Sequence, residues 1–285
     1  MNNKIKWLIS SLICTYNAEK FFKWTIESVL DQTYKNQEVL IWDDGSTDNT
    51  VEIIKEYQKK DNKIKLWTSK DLWKKLWPYW WLNFLINKSK GEFIAIQDHD
   101  DIWHPEKLKI QVQFLKYNKE YIWCWTWILM YFWKSKVGYI RDIENKDTKV
   151  VMHPSLLFRN KWLRYNQSNM FLGDVFFMKK ILCKKSKLKI IPEILTMHYW
   201  NENYKNYSDI WFKFSIKNLN RYLEINNMNI YNIKIKTLLY FIYMCLKKYF
   251  PYKIQKFMDR NTYKNYKELI NNDNCKKIIR LRNKK

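Results

Sequence analysis

Glycine is close to missing from this chain. Four occur among 285 residues, about 1.4% where roughly 7% is usual, which excludes collagen-like and glycine-linker architectures. The five cysteines, Cys14, Cys124, Cys183, Cys245 and Cys275, are scattered, with no CxxC pair and no metal-ligand spacing. A disulfide framework and a zinc cluster are thereby excluded, and a reducing compartment is expected. Long apolar runs are lacking too. "TLLYFIYMCL" (Thr237–Leu246) is about half the roughly 20 residues that a bilayer span needs. The opening "MNNKIKWLISSLICTYN" has a short apolar run and no small-residue cleavage site, so it reads as a first strand rather than a signal peptide.

Acid is the last scarcity, and it is local. Residues 1–105 hold 15 Lys/Arg and 15 Asp/Glu, residues 106–205 hold 19 against 8, and residues 206–285 hold 18 against 5. The whole net charge of +24 therefore lies beyond the first third. Such an excess fits an anionic partner (membrane surface, nucleic acid or acidic glycan). It fits equally the codon usage of an AT-rich gene, which favours Lys, Asn, Ile and Tyr.

Of what is present, 47% is hydrophobic and 28% charged, the balance of a globular chain with one large or two modest domains. Residues 5–14 are strand-like, and "FFKWTIESVLDQ" (Phe21–Gln32) is amphipathic. "QEVLIWDDGSTDNT" is an apolar run that stops at two carboxylates and a Gly-Ser turn. "VEIIKEYQKK" reads as a helix with apolar Val51, Ile54 and Tyr57, and Asn49 with Glu52 three later predicts a capping box. "KIKLWT" is a strand, "LNFLINKS" a helix and "GEFIAIQDHDD" a strand ending in acids. "PEKLKIQVQFLK" follows as a helix with Pro at its first position, and Ile122–Phe132 is strand-like. Beyond Tyr204 the chain is Lys- and Asn-rich with aromatic stripes and reads as helical. Strands alternating with helices predict an α/β fold with a mostly parallel sheet and sites at the strands' C-terminal ends.

Acids stand at those ends: "DDGS" (Asp43–Ser46), "DHDD" (Asp98–Asp101) and "GD" (Gly173, Asp174). Carboxylates there commonly hold a sugar hydroxyl or base, or a divalent cation against a diphosphate. Simple alternatives exist for several. Asp43 also fits a turn cap, and Asp101 fits a turn or an outer support better than a ligand. His99 points away between its neighbours, His104 suits the N-cap of the next helix, and His153 is structural or functional.

Order and spacing add a resemblance. "ICTYNAEKFFKWTIESVLDQTYKNQEVLIWDDGSTDNTVEIIKEY" followed by "GEFIAIQDHDDIWHPEKL" resembles the nucleotide-sugar-binding half of family 2 glycosyltransferases of GT-A fold. The likeness covers about residues 5–110. It extends more loosely through "HPSLLFRN" and "LGDVFFMKKIL" to about residue 205, and the last 80 residues lie outside it. It implies a GT-A fold, a Rossmann-like sheet flanked by helices, with a basic helical C-terminal extension. Residues 1–105 would form the nucleotide-sugar half, 106–205 the acceptor half with the catalytic base, and 206–285 the extension. Thr15, Tyr16, Asn17 and Glu19 would border the nucleotide pocket. Asp44 would contact base or ribose, with Asp43 and Ser46 shaping the turn, and Asn83 keeps the family's asparagine. Asp98 would approach ribose and diphosphate, Asp100 would ligate Mg²⁺ or Mn²⁺ with His198 as a further ligand, and Asp174 would be the general base. The implied reaction is metal-dependent, inverting transfer from a nucleotide-diphospho-sugar, UDP-linked, to a hydroxyl of a surface or lipid-linked glycan. The protein would be cytoplasmic, its basic tail touching the anionic inner face of the membrane.

Two other readings compete. One is a basic nucleic-acid-binding protein on a degenerate scaffold, although no nucleic-acid motif appears and nucleic acid is not an expected partner. The other is an inactive glycosyltransferase-like subunit, which requires Asp174 to point away from the cleft.

The tryptophans do not fit the pattern. "DLWKKLWPYWWLN" (Asp71–Asn83) reads as a loop and holds four of them, and "WCWTW" (Trp123–Trp127) three more. Trp73, Trp77, Trp80 and Trp81 stand where the family has glycine or small residues, and Leu82 replaces its usual arginine. Glycine and tryptophan together number 20, again about 7%. Either the protein is tryptophan-rich, or many of these positions are glycine in the cell, through a UGA codon decoded as glycine. Trp103, in "DDIWHP", matches a family tryptophan.

Overall fold

A computed structural model describes residues 4–69, 78–132, 136–141, 152–161, 163–167, 172–182, 189–200, 216–225, 239, 241–242 and 264–283. Its centre is four parallel strands: β1 (Ile5–Thr15), β2 (Gln37–Asp43), β3 (Ile64–Thr68) and β4 (Gly91–Asp98). They lie in the order β3-β2-β1-β4. β2 is buried along its entire length, as expected of a strand covered on both faces. Between them run α1 (Phe22–Leu30), α2 (Thr50–Lys60) and α3 (Pro78–Lys88). The order turns back between β1 and β4, which opens a crevice at their C-terminal ends.

One face of the sheet packs on α1, α2 and α4 (Lys107–Tyr117) through Ile9, Ile13, Ile26, Val29, Val39, Ile54, Leu108 and Val112. α1 earns its place by burying Phe22, Thr25, Ile26 and Val29, each large side chain contributing about 1.5–3 kcal/mol. The other face packs on α3 through Leu12, Leu40, Trp42, Trp81, Leu85 and Phe158.

Past β4 the sheet continues rather than ending. β5 is Ile102–Trp103, β6 Trp123–Phe132, β7 Val137–Arg141, β8 Leu157–Arg159 and β9 Ile190–Trp200. β8 runs antiparallel to both β4 and β6, while β9 lies parallel to β6 and antiparallel to β5. The halves expected on either side of residue 105 thus share one ten-stranded sheet. Later elements are α5 (Gly173–Phe176), continued by π-type turns over Phe177–Leu182, then α6 (Ile216–Ile225), β10 (Lys264–Asn265), α7 (Tyr266–Leu269) and α8 (Asp273–Asn283). α8 buries Cys275, Ile278 and Ile279 against Ile102, Ile194 and Met197. Most of the basic tail lies outside the described residues. Among the described residues no helix is long and apolar enough to cross a membrane, and Cys14, Cys124 and Cys275 are free thiols.

Three local expectations are corrected. The segment read as a loop to Asn83 is helical from Pro78, because proline suits the first turn, whose N–H needs no partner. Residues 70–77, with Trp73 and Trp77, lie outside the described residues. Pro105 precedes its helix instead of opening it: α4 starts at Lys107 with Glu106 at the N-cap. His104 Nδ1 accepts the Glu106 N–H at 3.2 Å, so the histidine ring holds the turn ahead of the helix. The Asn49–Glu52 capping box does not form, since Asn49 makes no side-chain cap. Asp48 and Glu19 supply the acceptors instead: Asp48 Oδ1 takes the Thr50 N–H and Glu19 Oε2 the Asn49 N–H, both at 3.1 Å.

Candidate active site

Register brings the acidic ends together. Thr15 lies opposite Asp43 on β2, and Cys14 lies opposite Asp98 on β4. After β2 the chain reverses at Gly45, whose φ of +80° is open to glycine and strained for most other residues. Asp43, fully buried, accepts the Gly45 and Ser46 N–H groups at 3.0 and 2.9 Å and also the Ser46 hydroxyl. Its oxygens build the turn. Ser46 Oγ accepts the Asn17 N–H at 2.9 Å, and Asn17 Oδ1 accepts that of Thr47 at 2.8 Å. The Asp44 N–H donates to the Thr15 carbonyl at 2.9 Å. The two loops therefore form one rigid rim, with Tyr16 exposed upon it and Glu19 committed to the start of α2.

The Asp98–Asp101 turn is fixed from below. Thr25 Oγ1 donates to the carbonyls of His99 and Asp101 at 2.9 and 3.0 Å, and Gln97 Nε2 donates to Asp101 O at 2.7 Å. Burial, then the charges of Asp101 and Asp100, push the Asp98 carboxyl up to about 6, against the pull of His153 and His198. β9 pairs with β5 so that His198 stands beside Asp101. Its Nδ1 lies 2.9 Å from Asp101 Oδ1, while the other contact of that oxygen is the Tyr199 N–H at 3.0 Å. Burial opposes charge on His198, but Asp101, with Asp100 and Asp98 behind it, prevails and raises the imidazole to about 9. His198 is thus an ion-pair partner of Asp101. Arg282 on α8 lies 3.8 Å over the Tyr199 ring and is influenced by Asp100.

Asp174 sits in the first turn of the four-residue α5, half-buried, and its N–H donates to Tyr79 Oη at 3.1 Å. Gly173 is needed beside it: a Cβ there would come within 2.1 Å of the Tyr79 ring. Burial first, and the charges of both Asp174 and Asp98, hold the Tyr79 and Tyr165 phenols well above their ordinary value. Cys14 is raised by burial and by Asp98 and Asp44. Register sets Asp98 beside Cys14, the Asp44 N–H bonds the following residue, Thr15, and the Asp174 N–H bonds Tyr79, which stacks on Tyr165.

Asn83 is buried on α3 beside Tyr165. Its amide donates to Tyr165 O at 2.9 Å and accepts Tyr165 N–H at 2.8 Å, so it positions that tyrosine. Tyr165 stacks on Phe177 and Tyr79, and His153 meets its edge. Sequence reasoning missed Tyr79, Tyr165 and Arg282. The orphaned atoms Thr15 Oγ1, Tyr165 Oη and His153 Nε2, all buried without a partner, are the signal that marks a polar ligand, and only the fold reveals it. A separate depression of about 690 Å³ between α2 and β3 carries Thr47, Asn49, Lys55 and Thr68 but neither Asp98 nor Asp174.

Among the described residues no group of three or more His, Cys, Asp or Glu side chains could by itself hold a metal ion. The donor set nevertheless suits Mg²⁺ or Mn²⁺, which take one or two carboxylates and leave the remaining positions to substrate phosphates and water. Asp98 would supply one such carboxylate and Asp100 a second.

A sequence profile described as Glycosyl transferase family 2 matches residues 10–181. The Escherichia coli enzyme named UDP-Glc:alpha-D-GlcNAc-diphosphoundecaprenol beta-1,3-glucosyltransferase WfgD is 38% identical over 112 residues, 39% of this chain and 42% of WfgD, so the chain matches less than half that relative's length. Staphylococcus aureus TarS 1–349 in complex with UDP-GlcNAc superposes with a TM-score of 0.56 at 17% identity, covering 84% of this chain and 82% of that one. The mannosyltransferase PcManGT of Pyrobaculum calidifontis, with GDP-Man and Mn²⁺, gives 0.53 at 15% identity over 72% and 59%. These structural likenesses establish the GT-A fold. With the profile spanning more than half of its residues, the chain belongs to glycosyl transferase family 2.

Proposed function

We propose that this protein transfers a sugar from a UDP-linked donor to a hydroxyl of a lipid-linked or surface glycan, with inversion at the anomeric carbon. The observation that supports the reading is that Asp44 follows β2 and Asp98 ends β4, the two strands that flank β1, while Asp174 bonds Tyr79 on α3. The rim of Thr15, Tyr16, Asn17 and Asp44 would hold the nucleoside, and Asp98 and Asp100 would hold Mg²⁺ or Mn²⁺. That ion, when bound, offsets charge building on the leaving diphosphate. TarS with UDP-GlcNAc and WfgD by the activity in its name support a UDP donor, PcManGT supports the ion, and WfgD supports a lipid-diphosphate acceptor.

Asp174 takes the acceptor proton as the hydroxyl attacks. Held at the start of α5 by Tyr79, it needs no strong basicity, because the hydroxyl acidifies only as the new bond forms. Tyr165 and His153 present a phenol and an imidazole to sugar hydroxyls. The buried floor excludes water that would otherwise hydrolyse the donor. Residues 1–105 supply the donor half and 106–205 the acceptor half, and the basic tail meets the acidic headgroups of the acceptor's membrane.

The test is transfer from a panel of UDP-sugars with Mn²⁺ to undecaprenyl-diphospho-GlcNAc. Asp98→Asn combined with Asp100→Asn should abolish product while the fold melts normally. Undiminished turnover in that double variant, or in chelator-treated enzyme, overturns the metal role.

A further inference from the structure

Buried tryptophans in this molecule fall into two classes. Trp103, fully buried, donates its indole N–H to the Pro154 carbonyl at 2.8 Å. Trp42, Trp81, Trp123 and Trp125, at 0–5% exposure, and the half-buried Trp127 have indole nitrogens that meet no partner. One orphaned donor in a core needs an explanation; five in neighbouring segments are not a normal way for tryptophan to be used, since its N–H finds an acceptor when buried. Trp7 adds an independent anomaly. Its φ is +64°, at an irregular step of β1, a backbone region that bulky side chains avoid and glycine enters freely.

Four of the orphans share one place. Trp42 and Trp81 stack at 6.4 Å, and both pack with Trp123, Trp125, Leu12 and Tyr165, with Cys14 and Tyr79 against them. Those last three residues are the ones that sense Asp44, Asp98 and Asp174. The indoles therefore share one packed cluster with Cys14, which lies opposite Asp98, and with Tyr79, which accepts the Asp174 N–H. Glycine within a strand commonly marks a close approach of backbone or ligand, and positions 42, 123 and 125 are strand positions.

We infer that positions 7, 42, 81, 123, 125 and 127 carry glycine in the protein its own cell makes, and that the space filled by the indoles at 42, 81, 123 and 125 is the floor of the donor cleft. Trp103 stays tryptophan. The first half rests on packing and backbone alone, and the second rests on the donor site proposed above.

Peptide mass spectrometry of the protein isolated from its source cells reads the first half. The tryptic peptides 36–55 and 120–134 should each be lighter by one indolylmethyl group at every assigned position, while the peptide bearing Trp103 keeps its indole. Tryptophan at 42, 123 and 125 in those peptides overturns the assignment. For the second half, two full-length forms from synthetic genes, with tryptophan or with glycine at the six positions, are titrated with UDP in the presence of Mn²⁺. The glycine form should bind at least tenfold more tightly, and equal affinity refutes the cleft floor. If neither form binds UDP, the donor reading itself fails, while the glycine assignment still stands or falls on the peptide masses. A tryptophan form that does not fold beside a glycine form that does counts for the assignment.

Discussion

The two faces of the central sheet are built by different rules. Toward α1, α2 and α4 the filling is Ile, Val, Leu and Phe, and its single fully buried indole is hydrogen-bonded. Polar groups there are matched as well: Gln32 donates to Ser28 O and His104 O, and its own carbonyl accepts the Leu108 N–H. Toward α3 the filling is aromatic, the indoles go unmatched, and the phenols feel two carboxylates, Asp98 and Asp174. One face is optimised for cohesion. The other accepts poor cohesion where the chemistry sits, the usual place for local rules to break.

This contrast predicts that substitutions on the two faces fail differently. The largest effect belongs to Asp174→Asn, expected to lower kcat by about 10²–10⁴-fold with melting temperature and UDP affinity unchanged. Loss of UDP binding along with turnover would make Asp174 a fold or donor residue rather than the base. Next comes Ile26→Ala on the cohesive face, which should destabilise by about 2–5 kcal/mol with kcat per folded molecule intact, as read by urea unfolding alongside an active-site titration.

Lys107 sharpens the comparison through pH. It is fully buried in the cohesive face, its Nζ 2.8 Å from Gln111 Oε1 and 4.1 Å over the Trp103 ring, and burial depresses its pKa to about 7. The folded value lies below the unfolded one, so the unfolded chain binds the proton more readily between pH 7 and about 10.4. This contribution to stability therefore rises as pH increases from 7 to 9, by about 2 kcal/mol, and Lys107→Met should flatten that rise. A melting curve as steep in the variant as in the parent would remove Lys107 as its origin. The smallest effect is expected from Asn83→Ala. It leaves the Tyr165 backbone unmatched and should cost about 1–3 kcal/mol, with a raised KM for acceptor as Tyr165 shifts. Weakened UDP binding at unchanged acceptor KM would return Asn83 to the nucleotide.

Much of the donor half was legible because its signals are local. An apolar run ending in Asp-Asp-Gly-Ser needs only a strand and a turn, and the register delivers both where expected, with Asp43 beside Thr15 and Asp98 beside Cys14. What failed to show depended on partners distant in sequence. The capping box at Asn49 lost to Glu19, some 30 residues earlier, a competition no window of the sequence displays. The pairing of His198 with Asp101 was not legible, because it is made across the β5–β9 strands. Tyr165 belongs to no motif, and the Asn83 amide that grips its backbone lies 82 residues earlier. α3 was read short because four tryptophans in thirteen residues hid the helical start at Pro78.

α8 docks its apolar stripe on β5 and β9, the two strands that bring Asp101 and His198 face to face. α8 is thus a buttress of the Asp101–His198 pair. Loosening its apolar stripe, at Ile278 or Ile279, will disturb a buried charge pair without touching either of its members.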